Sequence, residues 1–336
     1  MDNQADRLVE VWRGDFCESV HHGHVAVWHA DAGLIWGLGD VDGVILPRSS
    51  SKMIQALPLL ETGAADAHGL SDAHLALACA SHSGMAVHTD MVAGWLADLG
   101  LGDDDLRCGS HYPYHEPTRD QMVCAHDAPC QRHNNCSGKH SGFLTVTRHL
   151  GAGPEYVEPD HPVQQMVRTA WEELTDEPCP GFGIDGCSAP NFASSVKGFA
   201  RALAQFAAAT EGADARQTAM VRLREAMMAH PLMVAGEGRS CTRLMEVMGQ
   251  RAAIKTGAEA VFAAIVPEHR IGIAVKIADG TTRASEAVIT QLLVALGLID
   301  AEHPVARDYT VGPILNRRGI ETGRYRLTDA LAGWRL

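Results

Sequence analysis

Strand-like alternation is confined to the two ends of this chain, and that placement constrains its fold more than any other feature. Between Leu8 and Leu46 the segments LVEVW, HVAVWHA and LIWGLG carry it, with Asp31-Ala32-Gly33 as a hairpin turn between the last two. It returns at about 252–279 in AVFAAIV and IGIAVKIA, separated by Pro267-Glu268-His269-Arg270, which reads as a second hairpin. The segment RASEAVITQLLVALGLI then reads as a helix. After Pro47 the period changes, with Met53, Ile54, Leu57 and Leu60 at helical spacing and Pro58 expected to kink or shorten that helix. Further helices are expected at His74–Ala80, His88–Leu99, Gly138–His149, Pro162–Leu174, Phe192–Thr210 and Ala213–Met228, making 48–250 the helix-rich part. The pattern predicts an α+β fold, α/β in a loose sense, with terminal strands in one sheet packed against a helical cluster.

With 336 residues the chain can bury a large core, and it holds no block of like charge and no Pro- or Ser-rich tract. One domain over 1–336 is therefore expected. A formal charge of −13 argues against a nucleic-acid partner, which needs clustered Lys and Arg, and favours a small molecule. The segment MDNQADRLVE is acidic where a secretory signal would be basic and then apolar. No stretch approaches the roughly 18 apolar residues of a membrane span, so a cytoplasmic protein is expected. Nine cysteines, an odd number, make a disulfide framework a poor account in that setting. Those that matter should act through metal binding or reactivity.

Four groups of residues could carry chemistry. Ser49 and Lys52 stand three apart at a helix start, where a hydroxyl and its base can share a face; a Ser-rich helix cap beside a solvated lysine gives the same pattern. Lys255-Thr256-Gly257, at the edge of the C-terminal strand region, completes a pattern known from Ser-x-x-Lys acyl-transfer enzymes. Ala80-Ser81-His82-Ser83-Gly84 places two hydroxyls and an imidazole in a short loop, with Ser83 as a possible cap for the following helix. Cys136 and Cys187, each in a Gly-containing turn flanked by polar groups, suit a thiolate metal site, although two small buried thiols would read alike. His21, His22 and His24 are expected along an exposed strand, and His111 and His115 in a structural Tyr/Pro loop.

Arg48-Ser49-Ser50-Ser51-Lys52, Ala80-Ser81-His82-Ser83-Gly84, His133-Asn134-Asn135-Cys136-Ser137-Gly138-Lys139-His140, Asp185-Gly186-Cys187 and Lys255-Thr256-Gly257-Ala258-Glu259 follow one another along the chain. In that order they resemble the Rhizobium-type (class 3) L-asparaginases, asparaginase II, over nearly the whole length. The resemblance implies a fold similar to serine β-lactamases and serine-dependent glutaminases, and a homodimer. It implies two Ser-Lys pairs, Ser49 with Lys52 and Ser81 with Lys255. Zinc is implied as cofactor, on Cys136, Lys139 and Cys187, with His133 and His140 as rival nitrogen ligands. Arg48, Asp185, Cys241 and His82 are implied at the substrate, Asp185 toward its amino group.

The reaction the resemblance implies is hydrolysis of L-asparagine to L-aspartate and ammonia. Ser49 would be the nucleophile, Lys52 its base, and Ser81 with Lys255 a relay toward the departing nitrogen. A glutaminase or a Ser-x-x-Lys hydrolase acting on β-lactams is the rival within enzymes. A non-catalytic zinc or redox sensor built on Cys136, Cys187 and Cys241 is the rival of another class.

Overall fold

The computed structural model describes residues 4–336, which form two compact units. One contains the chain up to Ile45 together with Ser195–Ala208 and Arg243–Leu336; the other contains Leu46–Ser194 and Ala209–Thr242. Helix and sheet are mixed as the α+β reading requires, and both ends of the chain enter one sheet.

In the first unit, β1 (Asp6–Arg13), β2 (Phe16–His29) and β3 (Gly33–Leu38) arise from the N-terminal alternation. They join an eight-stranded antiparallel sheet whose order runs Pro313–Leu315, Glu321–Leu327, β1, β2, Ile271–Ile277, Val261–Val266 and Ala253–Thr256, with β3 also paired to β2. The helices Val196–Ala208 and Thr282–Ala295 both pack on the two strands between Val261 and Ile277. That cover explains why VFAAIV is buried at every position instead of every second one. Gly272 permits the approach: a Cβ there would lie 2.2 Å from both the Ala200 carbonyl oxygen and the Ala204 nitrogen.

Two features of this unit differ from expectation. His21 and His24 are 4% and 1% exposed, and only His22 faces solvent. The first lies 2.6 Å from an Asp279 carboxylate oxygen; the second accepts the Asp40 backbone N–H at 2.8 Å on Nδ1, while its Nε2 is buried without a partner. The strands Pro313–Leu315 and Glu321–Leu327 carry no apolar alternation strong enough to announce them. Main-chain pairing recruits them, with Val11 opposite Tyr325 and Trp12 opposite Arg324, while Arg326 stacks over the Trp12 ring at 4.5 Å.

The second unit is helical. Its centre is the helix Ser137–Leu150, buried on every side from Ser137 to Thr147. Gly138 lets the helix Asp72–Ala78 approach, because a Cβ there would lie 2.3 Å from the Leu77 carbonyl oxygen. The buried hydroxyls of Ser141, Thr145 and Thr147 bond back to carbonyls four residues earlier at 2.8–2.9 Å, and Trp95 donates to Thr145 at 2.9 Å. The helix after Pro47 is divided at Ala56 into Lys52–Gln55 and Leu57–Glu61, as Pro58 predicts. The helix expected from Phe192 begins at Val196, because Pro190–Phe192 pairs with Phe182–Ile184 in a hairpin. Among the described residues no helix is long and apolar enough to cross a membrane.

The packing at Gly272 gives a direct test. Gly272→Ala should destabilise by about 1–3 kcal/mol through forced displacement of the helix above it. Gly94→Ala, on an exposed helical position with nothing within 4 Å of the added carbon, should instead stabilise by about 0.5–1 kcal/mol. Urea unfolding of the two variants beside the parent would check both signs.

Candidate active site

Lys52 is 1% exposed although it opens a helix. Its Nζ is within hydrogen-bond reach of three groups: the Ala80 carbonyl, the Ser81 hydroxyl at 3.1 Å and the Cys136 sulfur at 3.1 Å. Ser81 follows the helix Asp72–Ala78, and its backbone N–H is tied to the Val234 carbonyl at 2.9 Å. The next N–H, of His82, reaches the Asn135 carbonyl at 3.2 Å. Ser49 stands half-buried in the tight turn Arg48–Ser51. Among the described residues no hydrogen bond joins Ser49 to Lys52; the lysine reaches the serine loop twenty-nine positions on.

Arg48 begins that turn with φ +55°, a left-handed conformation that a residue bearing a Cβ adopts only when its surroundings hold it there. The hairpin Phe182–Phe192 supplies the hold. Asn191 accepts the Arg48 backbone N–H at 3.1 Å, and Asp185 Oδ1 accepts from the guanidinium at 3.0 and 2.7 Å. The Gly186 N–H also donates to Oδ1, at 2.7 Å, and among the described residues no donor reaches Oδ2. Asp185, Gly186, Cys187 and Ser188 form the hairpin's turn, closed by the Ser188 N–H on the Asp185 carbonyl at 2.9 Å.

The same turn delivers Cys187 to the first turn of the central helix, where Lys139 Nζ lies 3.1 Å from its sulfur. Cys136, just ahead of that helix, donates to Asn135 Oδ1 at 2.9 Å and neighbours Cys187. The Cys136 thiol first, and then the Lys139 charge, hold the Cys187 thiol well below its usual range against the opposing effect of burial. The neighbouring Cys187 and burial push Cys136 well up. Burial pulls Lys139 down, but the charges of Cys187 and Cys136 outweigh it and carry the amine to about 12. His140 lies against Cys187 with Nε2 buried and unpartnered, while its Nδ1 is 2.9 Å from the Tyr156 hydroxyl.

Other expected site residues are placed differently. His82 is fully buried: Nδ1 accepts the Gly84 N–H at 3.2 Å, and Nε2 meets the Ser137 hydroxyl at 2.8 Å. With both nitrogens engaged it has none left for a substrate, and it supports the Ser81 loop from behind. Cys241 is buried in the first turn of the helix Ser240–Met248. Lys255 belongs to the sheet unit, on its edge strand, 1% exposed and donating to the Thr256 carbonyl at 2.7 Å. His133 pairs with Cys130 at 3.3 Å. Ser83 does not cap the helix Ala86–Asp98; His88 accepts the Met85 N–H at 3.2 Å there instead, and the Ser83 hydroxyl is buried without a partner.

A family model for L-asparaginase II matches residues 9–327, nearly the whole chain. The chain belongs to the L-asparaginase II family. The resemblance read from the five sequence blocks is thereby borne out. No curated protein matches this L-asparaginase II chain in sequence. Among solved structures, Mglu in its native form shares 14% identity over 84% of the chain with a TM-score of 0.48, and the chain spans 66% of its length. For Mglu in its tris and glutamate form the identity, coverage and TM-score are the same, and the chain spans 60%. A β-lactamase from Mycobacterium bovis shares 13% identity over 81% of this chain and 94% of its own, with a TM-score of 0.38. Likenesses this distant carry no chemical argument.

Asn191 is the residue of this L-asparaginase II site that sequence reading passed over. Nothing marks one asparagine in PNFASS except its position six after Asp185, a spacing that acquires meaning only once the hairpin is seen.

His82 also stacks on His88, with ring centroids 4.9 Å apart. Burial first, and their mutual repulsion for His82, lower both below the ordinary 6.5. The neutral rings therefore stabilise the fold above about 6.5, and that contribution should fade as pH falls, since the unfolded chain then binds protons the folded one refuses. Urea unfolding at pH 7.5 and 5.5 should show lower stability in acid, and His88→Gln should narrow the difference. An unchanged gap in a folded His88→Gln protein would assign the acid sensitivity elsewhere.

Proposed function

We propose that this L-asparaginase II family chain is an amidohydrolase that cleaves the side-chain amide of L-asparagine to give L-aspartate and ammonia. The observation that carries the reading is the buried Lys52 amine, 3.1 Å from the Ser81 hydroxyl and drawn away from solvent by its three partners. Family membership supports the reaction class. A serine hydroxyl attacks the amide carbon while a neutral amine takes its proton; the tetrahedral oxyanion collapses, the proton passes to the leaving nitrogen, and water then hydrolyses the ester. Ser49 remains the nucleophile of this reading, beside Arg48 on a turn that the hairpin holds in a strained form. The Lys52–Ser81 bond supports Ser81 as the group that passes the proton between Lys52 and the departing ammonia.

Arg48 and Asp185 fit the head of a free amino acid, the guanidinium toward its carboxylate and Asp185 Oδ2 toward its ammonium. Three donors crowd Oδ1 and none reaches Oδ2, which leaves an acceptor for that ammonium. Replacing Lys52 by Arg, which stays protonated, should lower kcat at least 100-fold, and Ser49→Ala should abolish turnover in a folded protein. Ammonia release from asparagine, from glutamine and from a panel of primary amides, beside hydrolysis of a chromogenic β-lactam, separates the candidate substrates. Turnover near the parent's in folded Ser49→Ala would remove the nucleophile, and silence with every amide would overturn the reaction class in favour of a sensor.

Cys136, Lys139 and Cys187 fit a zinc ion by donor chemistry. The Lys139 amine lies 3.1 Å from the Cys187 sulfur, and Cys136 neighbours Cys187. Among the described residues no group of three His, Cys, Asp or Glu side chains is placed to hold a metal, so the set depends on the Lys139 amine. When bound, the ion would supply a Lewis-acidic charge near the substrate head. Binding must displace protons from Cys136 and Lys139, so zinc content should fall with decreasing pH. Metal analysis should find about one zinc per chain, lost in Cys136→Ser/Cys187→Ser. Full occupancy in that double variant would refute the site, and loss in His140→Ala with retention in Lys139→Ala would reassign its nitrogen ligand.

A further inference from the structure

Asn191 carries a hydrogen-bond donor that the proposed reaction does not use. In the strand Pro190–Phe192 its side chain alternates with those of its two neighbours, and Phe192 packs on Phe182 with ring centroids 6.0 Å apart. Asn191 turns to the other face, where Oδ1 accepts the Arg48 backbone N–H at 3.1 Å. That bond settles which end of the planar carboxamide is oxygen, so the end left over is the amino group. The residue is 2% exposed, and Nδ2 is buried with no hydrogen-bond partner among the described residues. An amide N–H kept from water without an acceptor costs the fold stability, and an anionic oxygen that reaches it gains a strong bond. Position decides which oxygen that is. Asn191 pairs with Gly183 across the hairpin whose turn carries Asp185, and its own bond ties it to the residue before Ser49. An amino-acid head lying between Arg48 and Asp185 brings one anionic group to this place, its α-carboxylate.

We propose that Asn191 is a specificity residue whose Nδ2 donates a hydrogen bond to the α-carboxylate of the substrate, beside the Arg48 guanidinium. The assignment rests on the amidohydrolase reading and adds to it a donor for the substrate head. One side chain then serves two ends: its oxygen holds the main chain of the nucleophile's turn, and its nitrogen selects a free carboxylate over an esterified one. A neutral amide suits this place, because a second cation there would compete with Arg48 for Asp185.

Ammonia release from the full chain is measured with L-asparagine and with L-asparagine methyl ester, which keeps the side-chain amide and the amino group but lacks the anionic carboxylate. Asn191→Asp retains an acceptor for the Arg48 N–H and replaces the donor by a negative oxygen. The ratio of kcat/KM for the free acid to that for the ester should fall at least tenfold in this variant, mainly through a higher KM for the free acid. Asn191→Ala, which lacks the donor without adding a charge, should lower the same ratio at least threefold. Loss of support at the Arg48 turn alone would slow both substrates alike and leave the ratio where it was. An unchanged ratio in either folded variant, beside a parent that hydrolyses asparagine, overturns the role of Asn191 and leaves the hydrolysis reading standing. A parent inert toward both substrates overturns that reading, and this assignment with it.

Discussion

The buried amine of Lys52 joins segments that lie far apart in the chain. It reaches the end of one helix at Ala80, the loop serine at 81 and the cysteine that precedes the central helix at 136. Burying a polar amine is unfavourable unless it finds hydrogen-bond partners, so these contacts are mutually dependent. A shift of the Ser81 loop or of Cys136 would leave a donor unpaired in a dry interior. The catalytic geometry proposed here and the packing of the helical unit are therefore one structural problem with one solution.

The hairpin Phe182–Phe192 acts as the second fixed point. From one short element it bonds the side chain of Arg48 through Asp185, the backbone of Arg48 through Asn191, and Lys139 through Cys187. The left-handed turn at Arg48 persists because it is held at both its main chain and its side chain. The Cys136–Cys187–Lys139 cluster shares this support, and its charges compensate one another where solvent does not.

Some of this was legible in residue order. Alternation at the two ends gave the sheet, and Pro58 marked the break in the first helix, because these are local effects of side-chain period and ring geometry. The blocks around Ser81, Cys136 and Cys187 marked a candidate site for a similar reason: hydroxyls, amines and thiols in Gly-containing turns have few structural uses. Burial was less legible. His21 and His24 looked solvent-facing because polarity predicts exposure only when a strand has a free face, and Glu321–Leu327 was invisible because its pairing is made by main-chain groups common to every residue.

Sequence alone thus determined the class of fold, the family and the inventory of reactive groups, since these follow from composition and spacing along the chain. Tertiary structure decided which groups meet. Lys52 lies on Ser81 instead of Ser49, His82 turns both nitrogens inward, Asn191 holds Arg48, and His133 accepts the Cys130 backbone N–H. Hydrogen bonds act over about 3 Å whatever the distance along the chain. A residue's partner is therefore set by which surfaces the buried core brings together, and the linear order does not contain that information.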